Sequence, residues 1–160
     1  MSTGKQADKD RVQSLFKTID ANRDQLIETT VDLLKIPTFN PPGDNYLEIC
    51  EHIETRLQPS GFETIKPRAE GALGDSDKYP RWNVIARHEG PQPGPCVHFN
   101  AHTDIVALGE GWTKDPFGED VEADRIYGRG SCDMKGGLAA AIIAAEAFIS
   151  TVPNLSLIHI

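Results

Sequence analysis

A short apolar stretch, CVHFNAHTD at residues 96–104, ends in a histidine and an aspartate two positions apart. Its first six residues, 96–101, follow a Pro-Gly-Pro turn signal and are rich in β-branched and aromatic side chains, which predicts a strand. Two earlier stretches, FETIKP (62–67) and WNVIARHE (82–89), have the same character and predict two more strands. Ligands bind at the carboxyl ends of strands in open α/β sheets, so the polar residues after position 101 are candidates for a binding site.

Four other stretches have apolar residues at the i, i+3, i+4, i+7 spacing of a helix that buries one face. They begin near Asp10, cover residues 26–36 up to Pro37, cover residues 46–57 up to Gly61, and run from about Met134 to Ser150. A hairpin is also predicted over VEADRIYG, residues 121–128. Helices mixed with strands in this order indicate the α/β class.

The charge balance excludes two kinds of partner. The 160 residues carry 16 Lys+Arg against 24 Asp+Glu, a formal net charge of -8, whereas nucleic acids and anionic membranes need clustered positive charge. The most apolar stretch, residues 138–149, is interrupted by Glu146 and is shorter than the ~20 residues that span a bilayer. Three cysteines cannot all pair with one another, and the first residues contain no apolar signal segment. These features predict a soluble, cytoplasmic protein.

His102 and Asp104 are candidates for a metal site. On an extended backbone, side chains two positions apart project to the same side, so the imidazole and the carboxylate can face one space. A metal-bound histidine commonly donates its second ring N–H to a carboxylate, which fixes its tautomer. Taken alone, the triplet is a weak signal, because roughly two in three such triplets reflect ordinary loop chemistry.

Asp133 lies in a second notable segment, YGRGSCDMKGG at residues 127–137, which precedes the last helix. Its carboxylate can cap that helix, or it can face a cation if other negative ligands help. Gly136 and Gly137 are poor helix formers, which indicates that another backbone or a ligand approaches closely there.

Four segments together resemble the family of acetylornithine deacetylases and succinyl-diaminopimelate desuccinylases, which are metal-dependent amidohydrolases. They are LLKIPTFNPPGDNY (33–46), WNVIARHEG (82–90), FNAHTDIV (99–106) and GWTKDPFGEDVEADRIYGRGSCDMKGGLAAAIIAAEAF (111–148), so the resemblance covers most of residues 20–150.

The resemblance implies a dinuclear zinc site in which each candidate residue has a role. His102 matches the histidine ligand of the first metal, Asp104 the carboxylate that orients that imidazole, and Asp133 the aspartate that bridges both metals. Such a carboxylate holds two dications about 3.5–4 Å apart. Cobalt or manganese can replace zinc in a site of mixed imidazole and carboxylate ligands.

The resemblance also implies what this chain does not contain. The family's paired acidic residues, its distal histidine ligand and its lid or dimerisation domain match nothing in the sequence. We therefore expect an incomplete three-layer α/β catalytic domain of the co-catalytic zinc peptidase type, truncated before its later strands. Residues 1–9 are expected to be a disordered leader, 10–154 the N-terminal part of that domain, and 155–160 a non-native tail.

The expected function of the intact enzyme is hydrolysis of the amide bond of N-acyl amino acids or small peptides, and a homodimer can form through the absent domain. The fragment alone is expected to be inactive.

Two alternatives to this function stay open. One is a non-catalytic metal-binding remnant. The other is a phosphate- or nucleotide-binding module that uses the glycine-rich turn, although Asp133 would repel an anion there.

Overall fold

The computed structural model describes residues 2–90, 96–152 and 157–158. Its helices are α1 (Ser2–Ala21), α2 (Arg23–Leu34), α3 (Tyr46–Leu57) and α4 (Gly136–Thr151), and its strands are β1 (Glu63–Ile65), β2 (Ile85–His88), β3 (Val121–Glu122), β4 (Arg125–Ile126) and β5 (Leu157–Ile158).

The four predicted helices are present, with shifted ends. α2 stops at Leu34, two residues before the predicted end, and α3 is extended by a single 3₁₀ turn before Gly61. Gly61 has φ +81°, the left-handed conformation that glycine adopts without steric cost at a helix end. α4 begins at Gly136 rather than near Met134, because an irregular turn, Ser131–Lys135, precedes it.

Residues 2–9, which are expected from the sequence to be a leader before the domain, are part of α1 in the structure, and that domain limit stays a prediction. α1 begins at Ser2. The segment KQADKD (5–10) contains neither proline nor glycine, so nothing in it interrupts the helix whose apolar residues begin at Val12. Met1 lies outside the described residues.

The larger sheet has the strand order β1-β2-β5, and both pairs are antiparallel. β1 and β2 are the strands predicted from FETIKP and WNVIARHE. The strand predicted at 96–101 is wrong, because these residues pair with no strand of the described sheets. The nearest ladder contact is the isolated bridge between Ile105 and Phe39. The predicted hairpin is confirmed as β3 and β4.

One hydrophobic core joins the elements that carry the site. It contains fully buried residues from α2, α3 and α4 together with Ala86 of β2: Leu33, Ile49, Ile53, Leu57, Leu138, Ala139, Ile142 and Ala145. The fold is therefore mixed α/β with few strands, which confirms the predicted class, whereas the three-layer arrangement and the domain limits stay predictions. Of the tail at 155–160, only Leu157–Ile158 lies within the described residues, where it forms β5.

In the part of the chain that the structure describes, none of the helices has the length and apolar character that a bilayer span requires.

Candidate metal centre

His102 and Asp133 converge, although 31 positions separate them in the sequence. The Nε2 atom of His102 lies 3.0 Å from Oδ1 of Asp133. The backbone N–H of His102 also donates to Sδ of Met134 at 3.4 Å, so the segment after residue 101 and the turn before α4 are held together by two contacts. The side chain of Asp133 is 88% exposed and that of His102 is 45% exposed, so both are accessible from solvent.

Asp104 lies on the other side of the same imidazole. Its Oδ1 is 2.9 Å from Nδ1 of His102, so the ring is held between two carboxylates. Burial lowers the pKa of His102, but the hydrogen bond to Asp133 and the charges of Asp104 and Asp133 outweigh burial and raise the pKa above its ordinary value. The predicted side-by-side placement of His102 and Asp104 is therefore present.

The capping role considered for Asp133 is wrong. The N-cap residue of α4 is Lys135, and no side chain bonds to the first turn. Asp133 instead has φ -131° and ψ 93°, an extended conformation inside the turn Ser131–Lys135, and the peptide bond that follows it is cis. Its carboxylate contacts His102 instead of the helix.

The side chain of Lys135 anchors the turn Ser131–Lys135 to the C-terminal end of α2. Lysine side chains are almost never fully buried, but that of Lys135 is completely buried. Its Nζ donates to the carbonyl oxygens of Leu33 at 2.9 Å and Ile36 at 2.6 Å just at and beyond the end of α2. The carbonyl of Leu33 also accepts from the backbone N–H of Ile36 at 3.4 Å. Burial lowers the pKa of Lys135 to about 8.

Two glycines allow the turn to pack closely, as the sequence predicted for Gly136. A Cβ at Gly136 would lie 2.4 Å from the carbonyl oxygen of Ser131, so another backbone does approach. Gly130 has φ +91°, and a Cβ there would lie 2.7 Å from Cγ2 of Ile105. Close packing at these two positions brings the turn against the segment that carries His102.

The loop 37–45 supports the site from a third direction, and sequence reasoning missed it. Phe39 forms an isolated parallel bridge with Ile105, with backbone bonds from Ile105 N to Thr38 O and from Asn40 N to Ile105 O, each 2.9 Å. Nδ2 of Asn40 donates to Oδ2 of Asp104 at 2.9 Å. The sequence signal was only the segment's resemblance to the family, because a turn-rich loop does not reveal which residues it contacts.

The donor set fits a divalent metal ion in part. An imidazole nitrogen and a carboxylate oxygen that face each other are the donors zinc prefers, and a carboxylate on the second ring nitrogen is the usual support for such a histidine. His102, Asp104 and Asp133 line a cleft of about 310 Å³. No group of three or more such donors converges within residues 2–90, 96–152 and 157–158.

Comparison with known proteins is consistent with this site. Residues 98–159, which include His102, Asp104 and Asp133, match the sequence profile of peptidase family M20/M25/M40. This segment of the chain is therefore similar in sequence to that family.

The similar proteins are hydrolases by name. The chain is 37% identical over 128 residues to a succinyl-diaminopimelate desuccinylase of Methylobacterium radiotolerans, covering 79% of this chain and 30% of that protein. It is 36% identical over 135 residues to the Acinetobacter baumannii enzyme of the same name, covering 83% and 32%. The chain thus spans about a third of the length of these relatives.

Two solved structures share the fold. The dipeptidase Dug1p from Saccharomyces cerevisiae matches with a TM-score of 0.77 at 19% identity, and human carnosine dipeptidase 1 with a TM-score of 0.73 at 24% identity. Each match covers 91% of this chain and 33% of the other. The mixed α/β architecture therefore matches the fold of part of each of these two structures.

Proposed function

We propose that this chain supplies part of the metal site of an enzyme that hydrolyses the amide bond of N-acyl amino acids or small peptides. The single observation that carries the proposal is the 3.0 Å approach of His102 Nε2 to Asp133 Oδ1. The names of the relatives, desuccinylases and dipeptidases, support the substrate class.

In this proposal His102 and Asp133 are metal ligands, and zinc is the expected metal, with cobalt or manganese as substitutes. Zinc in such enzymes lowers the pKa of a water molecule and polarises the carbonyl that is attacked. The backbone carbonyl oxygen of Asp104 accepts the Nδ1–H of His102 at 3.2 Å, with Oδ1 of its carboxylate 2.9 Å from the same nitrogen, so Nε2 is the nitrogen that would bind the metal. The general base and further ligands belong to parts of the protein that this chain does not contain.

The wider expectations remain part of the proposal. Residues 10–154 would form the N-terminal part of a three-layer catalytic domain, and the remaining strands, the lid and a homodimer contact would come from the rest of the protein. The coverage of about a third of each relative supports this arrangement.

One observation favours the alternative that the chain binds metal without catalysis. Within the described residues, no three His, Cys, Asp or Glu side chains converge in a group that could hold a metal ion. A site of this kind is expected to bind zinc weakly and to give no turnover of N-succinyl or N-acetyl amino acids or of dipeptides.

The test is a zinc titration of the chain by calorimetry, with His102→Ala and Asp133→Asn as site variants and His52→Ala as a control on α3. We expect saturable binding that is weakened at least about tenfold in both site variants and unchanged in the control. Equal binding by all four proteins would contradict the proposal. A parallel assay for released amino acid separates binding from catalysis.

A further inference from the structure

A continuous row of polar contacts leads from the imidazole of His102 to the guanidinium of Arg81. Nδ1 of His102 forms a hydrogen bond with the backbone carbonyl oxygen of Asp104 at 3.2 Å and lies 2.9 Å from Oδ1 of its carboxylate. Oδ2 of the same carboxylate accepts from Nδ2 of Asn40 at 2.9 Å. Oδ1 of Asn40 in turn accepts from Nη1 of Arg81 at 3.2 Å. We infer that Asn40 and Arg81 are positioning residues, which fix the carboxylate of Asp104 and through it the metal-binding imidazole. The inference rests on the proposed function.

The amide of Asn40 has one favourable orientation in this row. Its NH₂ group faces an anion and its oxygen faces a cation, so a flipped amide would place oxygen against carboxylate and NH₂ against guanidinium. Both contacts involve a charged partner, and such hydrogen bonds are about twice as strong as neutral ones. The carboxylate of Asp104 is therefore held at Oδ2 by the hydrogen bond from Asn40, which places Oδ1 beside Nδ1 of His102.

The side chain of Asn40 is not required to attach its loop. The backbone bonds between residues 38–40 and Ile105 already hold the loop, and Oγ1 of Thr38 adds a bond to the carbonyl of Thr103. The amide contact with Asp104 comes in addition to these. Because the backbone bonds hold the loop without the amide, we assign the side chain of Asn40 to the metal site and not only to the stability of the loop.

Arg81 is itself held in place on several sides. Its backbone N–H donates to Oδ1 of Asp75 at 3.0 Å, and its guanidinium lies 5.1 Å from the ring centroid of Tyr46. A Cβ at Gly43 or Gly74 would lie within 2.4 Å of the guanidinium, so both glycines leave room for it. Within the described part of the chain, Arg81 forms no ion pair with a carboxylate, and its charge is directed to Asn40.

The experiment measures zinc affinity of the full chain by competition with a coloured chelator. The variants are Asn40→Leu, which removes both contacts at nearly constant shape, Arg81→Met, which removes the charge, and Arg81→Lys, which keeps the charge and a donor. We expect Asn40→Leu and Arg81→Met to raise the zinc dissociation constant at least about tenfold, with Arg81→Lys close to the parent. Arg87→Met is the matched control, because Arg87 lies on β2 and pairs with Glu89.

The direction in which Arg81→Met changes the zinc affinity distinguishes a positioning role of Arg81 from simple repulsion between its charge and the metal ion. Removal of a nearby cation would by itself strengthen zinc binding, so weaker binding supports positioning and tighter binding overturns the role of Arg81. Unchanged affinity in folded Asn40→Leu overturns the role of Asn40, and Arg81→Met decides the case if Asn40→Leu does not fold. Failure of the parent to bind zinc would instead overturn the proposed function, and the inference with it.

Discussion

Lys135 is the residue whose environment differs most from what its type suggests. Its ammonium group is buried beneath the turn that carries Asp133, and two carbonyl oxygens at the end of α2 accept from it. A buried carbonyl without a partner is costly, so the lysine stabilises the junction between the turn and α2 even though its own burial is unfavourable.

We predict that Lys135→Met lowers the free energy of unfolding by about 1–3 kcal/mol, because the carbonyl of Ile36 loses the Lys135 donor and that of Leu33 keeps only the 3.4 Å bond from the N–H of Ile36. Urea denaturation followed by circular dichroism measures the change. Lys35→Met is the matched control, since Lys35 pairs with Asp32 and Glu119 at the surface and should cost less. An equal effect of the two substitutions would contradict this role of Lys135.

At the level of single residues, the sequence predicted the candidate metal ligands but not the residues that hold them in place. The family pattern and strand parity identified His102, Asp104 and Asp133. Lys135 and Asn40 could not be assigned in the same way, because their partners are a helix end and a loop about 100 and 60 positions away, and no local pattern records such contacts.

Among the elements, the turn before α4 and the loop between β1 and β2 determine how the site is held. Close packing at Gly130 and Gly136 sets the backbone path of the turn. The carboxylate of Asp75 sets the backbone path of the loop. The sequence predicted the helices well, because helical periodicity is local. It failed at residues 96–101, because pairing in a sheet depends on which strands occupy the neighbouring edges.

Gly136 and Gly137 provide a matched pair at the start of α4. A Cβ at Gly136 would lie 2.4 Å from Ser131 O, whereas at Gly137 the nearest atom is 3.7 Å away. We predict that Gly136→Ala destabilises the protein by about 1–3 kcal/mol, and that Gly137→Ala stabilises it by up to about 1 kcal/mol. Thermal unfolding of both variants tests this, and the opposite order of stability would refute the packing argument.

Asp75 organises the loop between β1 and β2. Its carboxylate accepts from Nε and Nη2 of Arg68 at 3.0 and 3.2 Å and from the backbone N–H groups of Gly71 and Arg81 at 3.1 and 3.0 Å. The bond from Arg68, followed by that from Arg81, lowers the pKa of Asp75 to about 2. The loop that presents Arg81 therefore depends on an ionised Asp75.

The pH dependence of stability follows from this shift. The pKa of Asp75 is lower in the folded chain than the ~3.9 of an unfolded one, so its contribution is complete above about pH 4 and is lost as the pH falls towards 2. We predict that Asp75→Asn is less stable than the parent at pH 6 and that the difference disappears near pH 2. Urea midpoints across this range measure it, with exposed Asp77→Asn as control. A difference that persists undiminished at pH 2 would contradict the ionic role.

For the whole molecule, one core of α2, α3, α4 and β2 brings together segments that are distant in sequence. The family pattern and the helical periodicity predicted this mixed α/β class, whereas the neighbours within the sheet follow from the tertiary structure alone. The approach of His102 to Asp133 results from this packing. The turn that contains Asp133 is anchored to α2 through Lys135, and the segment that carries His102 is anchored to the loop 37–45 through Ile105.

The most direct test is an anomalous difference map from a crystal of the chain soaked in zinc. We predict a peak about 2.0–2.2 Å from both His102 Nε2 and a carboxylate oxygen of Asp133. Zinc bound only elsewhere, with His102 still hydrogen-bonded to Asp133, would contradict the assignment of these two residues as metal ligands.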